Sequence, residues 1–240
     1  MRTAWLALAG ALLAANARAE SIPAPKLRPG DTWTYQSTVE KRTGWQQSRV
    51  ESTVVRAGPT TVAVSNKPVG STMPPTEQLM GADWSRTRSV NGHETIVNRP
   101  LAFPLSVGKT WTVEYTESHP DRQHSTEHHR AVYSVAGWED VTVPAGTFHA
   151  LTIEADGEWT ATMAPAVGGT VTTRLDEQGA TTVMQSGKTA PATVSGRLYK
   201  GFWYVPAVKR WVKPVEESYD SNGVRNERYA DELESDKLSD

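Results

Sequence analysis

Along most of this chain apolar side chains recur at every second position. That period suits a strand with one buried face and gives no apolar stripe to an amphipathic helix. It is clearest behind two near-identical pentapeptides, GDTWT at 30–34 and GKTWT at 108–112. Behind the first, Trp33, Tyr35 and Val39 share one face and Thr32, Thr34 and Thr38 the other. Behind the second, Trp111, Val113 and Tyr115 oppose Thr110, Thr112 and Thr116. Each pentapeptide reads as a strand-opening device: the glycine supplies a sharp turn, and the tryptophan becomes the first inward residue.

The likeness extends beyond the pentapeptides. Leu27 corresponds to Leu105 at the same spacing of 78 positions that relates Gly30 to Gly108, and Ala57-Gly58 corresponds to Ala136-Gly137 one position further on. The sequence therefore predicts two copies, about 27–66 and 105–156, each a strand, a polar loop and a second strand. Elsewhere Thr, Val, Trp and Tyr are frequent, and turn dipeptides separate strand-like runs at Asn91-Gly92, Asp156-Gly157, Gln178-Gly179 and Asn222-Gly223. Pro144 and Gly146 fit positions i+1 and i+3 of a tight turn inside Val141 to Phe148. A last hairpin is predicted over about 203–235, and the Thr/Ala/Gly-rich stretch 161–197 reads as a variable excursion. Turns that join consecutive strands imply an all-β, antiparallel meander forming one strongly curved sheet or half-open barrel.

The chain begins MRTAWLALAGALLAANARAES, with one Arg before an apolar run and Ala17-Arg18-Ala19 after it. This is the pattern of a secretory signal peptide, predicted to be cleaved after Ala19 and to leave a single β domain over 20–240. The apolar run falls short of the roughly 20 residues that span a bilayer. Export to the periplasm is the expected destination, with no transmembrane span in the mature chain. There is no cysteine, which excludes a disulfide scaffold, thiolate metal ligands and lipid attachment at a cysteine. A net charge of −2 and a pI near 6.3 give no footprint for nucleic acid.

Three segments together resemble a set of exported bacterial β-sheet proteins with no assigned activity. They are Phe103-Pro104-Leu105-Ser106-Val107-Gly108-Lys109-Thr110-Trp111, then Val141 to Phe148 with Ala150 and Ile153, then Trp203-Tyr204-Val205-Pro206 with Val208 and Val212. The likeness covers about 100–235. Such proteins are similar to the half-open barrels of lipoprotein carriers and lipid-binding envelope proteins. The resemblance implies a curved sheet around a partly open apolar cavity, and it transfers no catalytic residue.

Eight tryptophans follow the leader, and a sheet face lined by Trp and Tyr makes wide apolar walls. Trp33, Tyr35, Trp111, Val113, Tyr115 and Trp203 are the candidate ligand-binding residues. The expected function is non-catalytic binding of a hydrophobic or lipid-like small molecule. The alternatives are a module that docks another envelope protein, a carbohydrate binder, and a metal-dependent enzyme. The last would draw on His119, His124 and His128, since four of the six histidines fall in 119–129. No helical H-E-x-x-H, no G-x-S-x-G elbow and no thiol nucleophile is present, so no catalytic residue and no cofactor is assigned.

Overall fold

The computed structural model describes residues 21–164, 171–175, 181–185 and 192–239. The leader and the turn at Gln178-Gly179 lie outside them. Strands β1 (Thr32–Lys41), β2 (Gly44–Ala57), β3 (Thr61–Pro68) and β4 (Thr76–Gly81) form one meander. A hairpin of β5 (Arg86–Val90) and β6 (His93–Asn98) follows. The chain then returns through β7 (Thr110–Ser118), β8 (His124–Val143) and β9 (Gly146–Met163). After a separate ribbon of β10 (Val171–Leu175) and β11 (Thr181–Gln185) come β12 (Thr193–Val205), β13 (Arg210–Asp220) and β14 (Arg225–Lys237). One ten-stranded sheet results, in the order β4-β3-β2-β1-β14-β13-β12-β9-β8-β7, antiparallel throughout. The architecture is the curved antiparallel sheet that the alternation predicts. No helix among the described residues is long and apolar enough to cross a membrane.

The sheet is open but strongly bent. Gln78 on β4 and Tyr115 on β7, its two outermost strands, line the same cavity. At one end the β8–β9 turn folds over until the Ala145 amide donates to the Leu233 carbonyl at 2.9 Å, across the width of β12 and β13. The connection from β4 to β7 must cross the open side, and the β5–β6 hairpin makes that crossing. It docks on β7 through side chains: Asn91 donates to the Thr116 carbonyl and accepts from the Ser118 amide, each at 2.8 Å, while Arg88 grips Glu117 with two nitrogens. Asn91 thereby satisfies backbone groups on the outer side of an edge strand whose only sheet neighbour is β8.

The two pentapeptides make the same backbone bonds. Gly30 has φ +94° and Gly108 φ +83°, a region open chiefly to glycine. The Gly30 amide donates to the Val54 carbonyl, and the Val54 amide to that of Asp31, both at 2.8 Å. In the second copy Gly108 donates to Val135, and Val135 to Lys109, both at 2.9 Å. Beyond each valine the partner strand bulges, between Val54 and Arg56 and between Val135 and Gly137. The residue that differs sets what each copy clamps. Asp31, wholly buried, accepts from Lys209, from the Arg28 amide and from the Ser239 amide. Lys109 instead donates to the carbonyls of Ala102 and Pro104.

Two turn expectations need correction. Asp156-Gly157 is not a hairpin turn but lies inside β9, with Gly157 opposite Ala131 on β8 and Leu198 on β12. Glycine is required there by crowding, since a Cβ would stand 2.9 Å from the Arg130 carbonyl oxygen. The loop at Asn222-Gly223 is longer than the two-residue turn predicted: Gly223 alone has positive φ, and the Asp220 amide donates to the Val224 carbonyl. Asn91-Gly92 has φ values of +52° and +82°, as a type I′ turn needs, and Pro144-Ala145 joins β8 to β9.

The core fills one end of the concave face. Trp33, Trp84, Leu101, Leu105, Leu151, Ile153, Tyr204 and Leu233 are all buried there, under the 3-10 turn Pro206–Val208 and the segment 99–109. Buried indoles need an acceptor for their N–H. Trp33 donates to the Val208 carbonyl at 2.9 Å, Trp84 to Lys209 at 3.1 Å and Trp111 to Arg99 at 2.8 Å. These bonds pin the connecting segments onto the sheet.

Candidate functional site

Beyond that filled end the concave face is hollow. A cavity of about 540 Å³ and a second of about 380 Å³ adjoin there, sharing Gln78, Arg86, Glu216 and Tyr229 as their common wall. Both volumes fall within the range of roughly 300–1,000 Å³ usual for small-molecule sites.

Alternation within β12 and β13 supplies the floor. Leu198, Lys200 and Phe202 face inward from β12, and Pro214, Glu216 and Ser218 from β13. The hollow is therefore apolar with charges set into it at strand spacing. Glu216 bonds Lys200 at 3.0 Å and meets Arg86 at 3.8 Å. Burial by itself would raise the Glu216 carboxyl, but Lys200 and Arg86 together outweigh it and hold the group below the usual carboxylate range.

The larger cavity is bounded by Val113, Tyr115, His129, Ala131 and Tyr133. His129 stacks on Tyr115 with ring centroids 4.8 Å apart and pairs with Glu127 at 2.7 Å. Burial pushes the His129 imidazole below its ordinary value, against the opposing pull of Glu127.

The smaller cavity has an aromatic end and a polar end. Tyr35, Trp84, Phe202 and Trp211 form the first. Ser37, Ser52, Asn66 and Asp231 form the second, where Ser37 donates to Asp231 at 2.6 Å and Ser52 to Asn66 at 2.7 Å. Tyr229 also donates to Asp231, and burial raises this carboxyl above its ordinary value despite both bonds and the charge of Arg210. Arg210 stands between the two ends.

Tyr35, Val113 and Tyr115 line the cavities. Trp33 and Trp111 point to the same concave side but are spent on packing: Trp33 is wholly buried against Trp84, and Trp111 stacks on Tyr133 at 5.3 Å. Trp203 is on the opposite face from Phe202 and Tyr204. Its indole donates to Glu139 at 2.6 Å and its ring lies under Lys213. A run that is apolar at both parities, Phe202-Trp203-Tyr204-Val205, conceals which residues face inward.

The three histidines do not converge. His119 sits in the β7–β8 loop with φ +51°, His124 pairs with Asp121 at 3.0 Å, and His128 bonds Thr116 and approaches Glu114. Among the described residues no group of three or more His, Asp or Glu side chains is placed to hold a metal ion.

Sequence reasoning missed Arg86, Trp84, Lys200, Arg210, Trp211 and Glu216. One signal was present: Lys200 lies between Leu198 and Phe202 at alternate positions, a cation on an otherwise inward apolar face.

The fold and hollow define an open, bent antiparallel sheet carrying a cleft with apolar walls and inset charges. No family model matches the chain, and no curated protein matches it. Two solved structures are similar over most of their length. One, from Parabacteroides distasonis and provisionally named a lipoprotein, is 14% identical with a TM-score of 0.44, covering 91% of this chain and 100% of its own. The other is a provisionally named exported protein with a YmcC-like fold from Bacteroides fragilis. It is 13% identical with a TM-score of 0.38, covering 90% of this chain and 99% of its own.

Proposed function

We propose that this chain is an exported periplasmic protein that binds an amphiphilic, lipid-like small molecule in the concave cleft, without transforming it. Export draws on the leader pattern of residues 1–19. The observation that carries the binding reading is the pair of adjoining cavities with aromatic and aliphatic walls. Burial of an acyl chain against such walls supplies affinity at about 25 cal/mol per Å². The inset charges select an amphiphile over a plain hydrocarbon, because a wholly apolar ligand would strip water from Arg86, Glu216 and Asp231 and give nothing back. Charged groups in and beside the cleft are engaged with one another, Glu216 with Lys200 and Arg86 and Arg88 with Glu117, as suits a preformed container.

Delipidated protein titrated with dodecyl-chain amphiphiles tests this reading. Trp84 and Trp211 border the smaller cavity, so saturable quenching of tryptophan emission is expected, with one-to-one complexes in native mass spectrometry. Absence of both signals for anionic, zwitterionic and neutral members of the series would refute it.

A further inference from the structure

Arg210 is the anomaly of the cleft. Its guanidinium carbon lies 4.6 Å from the Trp84 ring centroid, 5.1 Å from that of Trp211, and 5.3 Å from those of both Trp33 and Tyr35. Nε and Nη1 are closed off from solvent without any hydrogen-bond acceptor. Among the described residues Arg210 takes part in no ion pair, whereas Arg86, Arg88 and Lys200 each have a carboxylate partner. Arg210 is nonetheless one of the residues that line the smaller cavity.

A guanidinium is charged at every pH a protein meets, so this charge cannot be shed on burial. Faces of four aromatic rings offer it partial compensation, and among the described residues no carboxylate lies within ion-pair distance, Asp231 being near enough only to feel its charge. Asp231 shares the cavity but is committed to Ser37 and Tyr229.

The cage is also built against local preference. Trp84 has φ +62°, a conformation that a bulky residue adopts only when its surroundings impose it. Trp33 and Trp211 pack on its ring at 5.4 and 5.9 Å, and its indole bonds the carbonyl of Lys209, itself at φ +62°. Strain held in place around an unpaired cation at a cavity wall marks a binding site.

We infer that Arg210 is the docking point for the anionic group of the bound amphiphile, a singly charged oxygen acid such as a carboxylate or a phosphodiester. This rests on the amphiphile reading above. A single charge is favoured because Nε and Nη1 of the fork are closed off from solvent and Asp231 lines the same cavity, which would disfavour a dianion. The acyl portion then lies along Trp84, Phe202, Trp211 and Met80.

The test compares laurate, lysophosphatidylglycerol and dodecanol by tryptophan quenching, on wild type and on Arg210→Gln checked for native strand content. Wild type is expected to bind one or both anions at least ~10-fold more tightly than dodecanol, the equivalent of a charge-assisted hydrogen bond. Preference between the two anions separates a free fatty acid from a phospholipid source. Arg210→Gln is expected to bring the anions down to the dodecanol level and leave dodecanol unchanged. Equal binding of anions and dodecanol by wild type overturns the Arg210 assignment while the amphiphile reading stands, and it needs no variant to fold. Retained anion preference in Arg210→Gln does the same. Binding of none of the three defeats both.

Discussion

Asp31 and Lys209 are 178 positions apart in the chain, and the lysine Nζ lies 3.0 and 2.9 Å from the two carboxylate oxygens. The aspartate has no exposed surface and also accepts two backbone N–H bonds, from Arg28 and Ser239. One side chain thus joins the entrance to β1, the 3-10 turn after β12 and the C-terminal segment.

Removing one member of a buried pair strands the other. Asp31→Asn keeps an acceptor for the backbone donors but leaves Lys209 without its counter-charge, and a loss of about 3 kcal/mol is expected. Urea unfolding measures it. A loss under ~1 kcal/mol would mean that Lys209 swings to solvent and that the clamp is not structural.

Three glycines are required for two different reasons. Gly30→Ala and Gly108→Ala place a Cβ on left-handed backbone and are each expected to cost about 1–2 kcal/mol. Gly157→Ala has ordinary φ but crowds the Arg130 carbonyl, with an expected cost of about 1–3 kcal/mol. Chemical denaturation of the three variants should show all of them destabilised. Neutral behaviour at Gly157 would show that β8 and β9 can separate there at no cost.

Trp33 and Trp45 should respond oppositely. Trp33→Phe leaves the buried Val208 carbonyl without its donor and is expected to cost about 1–3 kcal/mol. Trp45, 69% exposed at the β1–β2 tip, should tolerate Ala within ~0.5 kcal/mol. Equal unfolding midpoints for the two variants would contradict the packing described.

Glu216 and Asp231 tune stability in opposite directions with pH. The Glu216 carboxyl is held low in the fold, so its contribution is present above the ordinary carboxylate range and is lost as pH falls through the depressed value. The Asp231 carboxyl is raised by burial, so its contribution is present below the ordinary value, near 4, and is lost as pH rises through the raised one. Asp231→Asn should therefore gain on wild type as pH rises above 4, whereas the deficit of Glu216→Gln should be constant near neutrality and shrink as pH falls below about 4, each at about 1.4 kcal/mol per pH unit of displacement. Urea midpoints between pH 2 and 8 check this, and curves parallel to wild type over that whole range for both variants would refute it.

The period-two pattern made much of the fold legible. It placed Trp33 and Tyr35 on the face that is buried and Thr32 and Thr34 on the other, and it marked Val113 and Tyr115 as inward. Turn chemistry located the β5–β6, β8–β9 and β13–β14 hairpins. It failed at Asp156-Gly157 because a glycine answers to two needs, positive φ and close strand approach, and the dipeptide does not say which. The candidate site was legible only in its walls. The cage around Arg210 assembles Trp33 and Tyr35 from β1, Trp84 from a loop and Trp211 from β13, and no spacing in the chain relates them.

What the sequence by itself determined was local: which residues alternate inward, where consecutive strands turn, and that the chain builds a sheet rather than helices. Those outcomes follow from steric preferences acting over a few residues. The pairing of β1 with β14, the crossing of the open side by β5–β6 and the choice between packed core and hollow cleft were decided by the tertiary structure. A strand edge offers the same row of N–H and C=O groups to any partner. The bend of the whole sheet settles which distant strands meet, and whether an inward aromatic fills the interior, as Trp33 does, or borders a space around an unpaired charge, as Trp84 does.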